Sequence, residues 1–255
     1  MNFPAMSPGQ FALPIYIDLS ATFLYGLTGA LAAIRRQYDF VGVFVLALVT
    51  GLGGALIRDG IFIQSGPPAA MQDPRYLLAI VAGCLVAAFF RNWITGLVKV
   101  FVWADALGLG AYAVVGSARS LEAGLSIVAA MMVGIINATG GGLLRDVLVR
   151  DEPLLFKPGQ FYVVAALVAA VLFCNLVARL GVPVEKAALW SIGASFVFRV
   201  LAIVFNWKTS AVAGRISAGS EQSVLARTAE SRVTEPDTKD AGNESTKSED
   251  SDLNG

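Results

Sequence analysis

Six charged residues sit inside or beside apolar stretches of this 255-residue chain: Asp18, Arg58, Asp59, Asp105, Arg145 and Asp146. Charge in such surroundings is costly and needs a partner, so the chemistry open to it is that of buried ion pairs, relays or the polar wall of a pathway. Glycine clusters precede two of these sites. Gly51, Gly53 and Gly54 come before Arg58-Asp59, and Gly140, Gly141 and Gly142 before Arg145-Asp146. A glycine inside a helix costs about 1 kcal/mol relative to alanine, so helices carrying several are weak there. A helix beginning near Phe40 would place Gly51 about 18 Å along its axis, a little past the middle of a roughly 30 Å hydrocarbon core. A break at that depth would free carbonyl oxygens able to replace part of a cation's hydration shell, with Thr50, Asn137 and Thr139 as further oxygen ligands. The alternative is close helix packing through small residues, and the sequence leaves both open.

Other chemistry lacks its residues. The chain has no His, so His-based zinc sites and His general-base catalysis are excluded. Cys84 and Cys174 stand in apolar runs, where cysteine reads as a small packing residue. No reactive cysteine arrangement or metal-ligand cluster points to catalysis, and perturbed charges alone are a weak pointer to it, so the chain is not expected to be an enzyme. No cofactor or metal is expected. A concentrated basic face is also missing, which argues against a nucleic-acid partner.

The elements that must position these residues follow from composition. Hydrophobic residues make up 56% of the chain and charged residues only 15%, against about 25% charged in soluble domains. Mean hydropathy is +0.66. Residues 1–205 hold 13 Lys+Arg and 10 Asp+Glu, whereas 206–255 hold 6 and 9, so an apolar body carries +3 and a polar tail −3. Seven stretches are long and apolar enough for spanning helices: about 14–34, 40–57, 77–95, 98–117, 122–139, 161–179 and 185–206. The first is not a cleaved signal, because residues 1–17 contain no Lys or Arg. Trp93, Trp103 and Trp207 fall near span ends, where amphipathic rings favour the interface. With the N-terminus outside, inner segments hold nine Lys/Arg and outer segments five, which favours an N-out, C-in arrangement. A short N-terminal segment, 1–13, precedes the seven-helix domain at 14–210. Residues 211–255 are expected to be a disordered cytoplasmic tail, too polar to offset their ordering entropy.

A shift of 87 positions superimposes residues 18–59 on 105–146 without a gap. Asp18/Asp105, Tyr25/Tyr112, Gly29/Gly116, Gly53/Gly140, Gly54/Gly141, Leu56/Leu143, Arg58/Arg145 and Asp59/Asp146 then coincide. Matched intramembrane Asp and Arg are far less expected by chance than matched Gly or Leu. The chain thus contains repeat 1 at about 14–95, repeat 2 at about 98–179 and an appended helix at about 185–206. Three spans per repeat is an odd number, so the copies enter from opposite sides. The expected fold is all-α: an inverted 3+3 repeat plus a seventh transmembrane helix, with a pathway at the repeat interface. In that arrangement Asp18 lies toward Arg58 near one face and Asp105 toward Arg145 near the other, with Asp59 and Asp146 as alternative partners. Such pairs could gate the two ends, although Arg58 and Arg145 could also snorkel to headgroups. Arg199, about two turns from the end of the seventh helix, is expected to reach anionic lipid or, less favoured, another subunit.

The paired Gly-Gly-x-x-x-Arg-Asp segments, the stretch Asp105-Ala-Leu-Gly-Leu and the ending Arg199-Val-Leu-Ala-Ile before Trp207 resemble the prokaryotic branch of the trimeric intracellular cation channels. These sequences are also labelled a bacterial glycine-transporter-like membrane domain. The resemblance covers about residues 14–210. It implies a homotrimer in the bacterial inner membrane, one pore per seven-helix protomer, and conduction of monovalent cations, chiefly potassium. It also implies a pore lined by kinked helices two and five, carrying Gly53, Gly54, Gly140, Gly141, Gly142, Arg58 and Arg145. Ala55 departs from the family's three-glycine run, which is complete only at Gly140–Gly142. A secondary transporter of a small zwitterion such as glycine is the competing function. Half-helix dipoles would there hold the carboxylate and ammonium.

Overall fold

The computed structural model describes residues 11–90, 94–157, 161–205 and 207. The expected tail lies outside them, as do Arg91, Trp93, Lys208 and Arg215. The described residues fall within the first of two units of the chain, Met1–Thr209. Their regular elements are all helices, without strand: α1 Ile15–Arg35, α2 Phe40–Ile57, a π-helical segment Arg58–Ile63, α3 Ala69–Gln72, α4 Pro74–Phe90, α5 Ile94–Glu122, α6 Ile127–Leu148, α7 Tyr162–Ala178 and α8 Val184–Val204. Five of these helices are long and apolar enough to cross a membrane, and α4 and α7 are shorter apolar helices.

Local chemistry sets the boundaries. Asp39 accepts the Gly42 N–H at 2.8 Å and caps α2, and Ser126 caps α6 through the Ala129 N–H at 3.3 Å. Gly124, at φ +82°, turns the chain between α5 and α6. That turn corrects the expected fifth span: α6 starts at Ile127 rather than 122 and runs to Leu148, so Gly140–Gly142 lie well inside it. α5 is correspondingly longer than the expected 98–117. The π segment after α2 and the short α3 have no signature in hydropathy.

α1 packs against α2, α4 and α5; α6 packs against α5, α7 and α2; α8 lies chiefly on α5 and α7. Two large apolar clusters result, one around Leu27, Leu31, Ala47, Tyr76 and Ile80, the other around Tyr25, Leu109, Tyr112, Ala166 and Phe173, with a small third around Ala33, Leu46 and Val149. Loops are strapped by polar contacts. Tyr16 on α1 donates to Glu185 on α8, and Arg36 pairs with Asp151 across two loops. Between α3 and α4, the Arg75 guanidinium and backbone N–H bind Asp73 and hold that carboxyl below the usual carboxylate range.

Candidate functional site: two ion clusters and a helix crossing

α2 and α6 cross at their glycines. A Cβ built on Gly54 would run into the backbone carbonyl of Asn137, and one on Gly141 into that of Thr50. One on Gly53 would lie 2.6 Å from Leu144 Cδ1, and one on Gly140 would lie 3.4 Å from Gly54 Cα. Only residues without a side chain permit this approach of two backbones. The expected interruption is not seen: both helices are continuously α-helical across their glycines. The carbonyls therefore stay in the helical ladder, and glycine serves here to bring the helices together. The side chains expected as oxygen ligands lie at or beside the crossing, each donating to a backbone carbonyl, while Asn137 Oδ1 has no hydrogen-bond partner among the described residues. Thr50 donates to Leu46 O at 2.6 Å, Thr139 to Ile135 O at 2.9 Å, and Asn137 Nδ2 to Tyr112 O at 2.7 Å.

Two tyrosines tie the halves together. Tyr25 donates to Ala138 O at 2.5 Å, and Tyr112 donates to Gly51 O. Their rings meet edge-to-face with centroids 4.8 Å apart. Donors and acceptors alike are related by the 87-residue shift, so each repeat reaches a hydroxyl onto the glycine helix of the other. Tyr112→Phe should lower stability by about 1–3 kcal/mol, because its hydroxyl donates to Gly51 O and also lies 3.0 Å from Thr22 Oγ1. Unfolding of the detergent-solubilised protein measures it, and unchanged stability would show that these contacts do not hold the halves together.

An ion cluster lies on either side of the crossing. In the first, Arg145 Nη1 is 2.9 Å from Asp105 Oδ1 and 3.1 Å from Thr28 Oγ1, and its Nε is 2.8 Å from Asp146 Oδ1. Its guanidinium carbon stands 4.6 Å from the centroid of the Phe101 ring. Asp146 also accepts the Leu154 N–H at 3.0 Å, which straps the following loop. The expected Asp105–Arg145 pair is thus formed, and it is fully buried. Arg199 joins it. Only 3% exposed, its Nη2 is 3.5 Å from Asp105 Oδ2 and its guanidinium lies 4.5 Å from the Tyr162 ring centroid. The expectation of a lipid or subunit contact for Arg199 is therefore corrected. α8 turns this residue inward, where a carboxylate and an aromatic face replace the headgroup.

The second cluster departs from its expected pairing. Arg58 makes a two-pronged contact with Asp59, Nε to Oδ1 at 2.6 Å and Nη2 to Oδ2 at 3.0 Å, and not with Asp18. Asp18 instead accepts from the Tyr76 hydroxyl at 2.7 Å and lies 3.6 Å from Arg119 Nη2. The reason is local: Arg58 opens the π segment, where the adjacent Asp59 takes two of its donor nitrogens. Asp59 also accepts the Ala69 N–H at 3.1 Å, matching the strap made by Asp146. A cavity of about 270 Å³ lined by Arg58, Asp59, Arg119 and Glu122 opens beside this cluster. Buried Arg58 and Arg145 are held by carboxylates rather than snorkelling.

Several participants carried no sequence signal as charge partners: Arg119, Thr28 and Phe101. Tyr25/Tyr112 recur at the 87-residue shift and Tyr76/Tyr162 after a one-residue deletion, but neither spacing named a contact. Among the described residues, no group of His, Cys, Asp and Glu could hold a metal ion.

Comparison with known proteins places the chain among membrane proteins. A family model described as "Glycine transporter" matches residues 15–92 and 102–178, which are α1–α4 and α5–α7. A membrane protein of the UPF0126 group from Deinococcus radiodurans is 30% identical over 156 residues, covering 61% of this chain and 72% of that protein. The inner membrane protein YadS of Escherichia coli is 28% identical over 203 residues, 77% of this chain and 94% of its own length. Among solved structures, the trimeric intracellular cation channel orthologue from Rhodobacter sphaeroides aligns with a TM-score of 0.70 at 34% identity, covering 75% of this chain and 97% of that one. A prokaryotic channel of the same kind, crystallised in 0.5 M KCl, aligns with a TM-score of 0.69 at 25% identity over 75% and 96%. With its apolar helices, doubled Gly-Gly-x-x-x-Arg-Asp motif and buried ion clusters, this integral membrane protein belongs to the trimeric intracellular cation channel family, whose family model carries the glycine-transporter description.

Proposed function

We propose that the protein is a channel for monovalent cations, chiefly potassium, with one pore per protomer along α2 and α6 and three protomers per assembly. One observation carries the proposal: the α2–α6 crossing, closed by paired glycines, has a buried Arg–Asp cluster on either side. The likeness to cation channels over nearly their whole length supports it. Seven spans, with α4 and α7 counted, form an inverted 3+3 repeat with α8 appended. The exchanged tyrosine contacts, the matched Asp59 and Asp146 loop straps and the two successive family-model segments support that symmetry. The N-terminus lies outside, so the Arg58 cluster faces outward, the Arg145 cluster faces the cytoplasm, and the C-terminal tail is cytoplasmic. The membrane is the bacterial inner membrane, which the naming of the Escherichia coli relative supports.

The family-model description favours one alternative, a carrier of a small zwitterion. Flux assays in proteoliposomes separate the two. A channel dissipates a K+ gradient at a rate that grows with the gradient and does not depend on glycine. Saturable glycine uptake without K+ flux would establish the carrier instead.

A further inference from the structure

Among the described residues α8 is the one long helix outside the repeat, yet it delivers a buried charge to a single end of the protein. Arg199 Nη2 is 3.5 Å from Asp105 Oδ2, while Arg145 Nη1 holds the other oxygen of that carboxylate at 2.9 Å. Arg145 has a second carboxylate, Asp146, at 2.8 Å, and Arg199 rests on the Tyr162 ring. The four charges, Arg145, Arg199, Asp105 and Asp146, sum to zero. In the Arg58 cluster the corresponding Asp18 meets Arg119, which α5 supplies and which is about a third exposed at its side chain. The slot for a second arginine is thus filled from within the repeat at one end, by a partly solvated residue. At the other end it is filled by the appended helix, with a desolvated one.

We infer that Arg199 is a positioning residue through which α8 sets the electrostatic field at the Arg145 end of the pathway. It draws on the carboxylate that restrains Arg145 and balances its charge. A fixed charge in a low-dielectric wall changes the local concentration of counter-ions and does so less at high salt. Removing Arg199 leaves the cluster at −1 and Asp105 wholly to Arg145, which favours cations. Removing the Asp105 charge leaves it at +1 with Arg145 less restrained, which repels them. Two partners of one ion pair therefore act on conductance in opposite directions. A purely structural pair gives the same sign for both, because either loss strands the other charge.

The inference rests on the channel reading, and single-channel K+ recording of the full-length protein in planar bilayers keeps the two apart. At about 0.1 M salt, R199Q should raise unitary K+ conductance about two-fold, and D105N should lower it by a similar factor. R199K should stay at the wild-type value, and the double variant D105N/R199Q should return close to it. At about 1 M salt, where the screening length is about 3 Å, the differences should shrink. If R199Q does not fold, D105N against D105N/R199Q carries the same comparison, and recovery in the double variant supports the inference. Conductance lowered by R199Q as well as D105N, no recovery in the double variant, or effects that persist at high salt would overturn it. A wild-type protein without K+ conductance would remove the channel reading itself.

Discussion

Gly54→Ala is expected to abolish K+ conductance and to lower stability by about 1–3 kcal/mol, the usual cost of an added methyl group in a close-packed contact. The new Cβ would meet the backbone carbonyl of Asn137, which cannot rotate away as a side chain can. α2 and α6 would have to separate along the crossing that joins the two ion clusters. Gly141→Ala should behave alike, since its Cβ meets the Thr50 carbonyl from the other side. Gly193 in α8 is the internal control. A Cβ there meets nothing within 4 Å, so Gly193→Ala should be neutral or stabilise by up to about 1 kcal/mol through helix propensity. Unfolding of the purified protein together with bilayer recording measures both effects. Full conductance in a folded Gly54→Ala variant would show that close approach at the crossing is dispensable.

Arg145→Gln is expected to cost about 3–5 kcal/mol, because it leaves Asp146 without an arginine and Asp105 with Arg199 alone at 3.5 Å, where no solvent reaches Arg145. Asp18→Asn should cost far less. Asp18 is buried, but its arginine partner Arg119 lies at 3.6 Å and is partly solvated, and the Tyr76 hydroxyl remains to the amide oxygen. A double-mutant cycle on stability should therefore give a large coupling for Asp105 with Arg145 and nearly none for Asp18 with Arg58, which do not pair. Equal couplings at both ends would contradict the asymmetry between the clusters.

The repeat was legible in sequence because it is written in residues that membranes make expensive. Asp105 and Arg145 can be paired from sequence alone, since an intramembrane charge must find its counter-charge and few are on offer. Asp18 and Arg58 obey the same logic yet do not pair, because a π segment starting at Arg58 turns its guanidinium to Asp59. Hydropathy is blind to that local winding. Arg199 reads as lipid-facing for a related reason. Most of α8 is apolar, and although Ser191, Ser195 and Arg199 recur every fourth residue on one buried face, hydropathy alone does not set that stripe apart from the exposed Trp190 and Val204. The glycines offered two meanings, a break or a close approach. Only the Asn137 and Thr50 carbonyls lying across from Gly54 and Gly141 decide for approach. Tyr25 and Tyr112 were visible as a repeated pair, but their role depends on carbonyls in the opposite repeat and could not be read from spacing.

The most direct test of the account is the reversal potential of the reconstituted protein in a planar bilayer with asymmetric KCl. Cation conduction predicts unitary currents that reverse near the K+ equilibrium potential, unaltered by glycine and lost in Gly54→Ala. Absence of unitary currents, or reversal at the chloride potential, would contradict it.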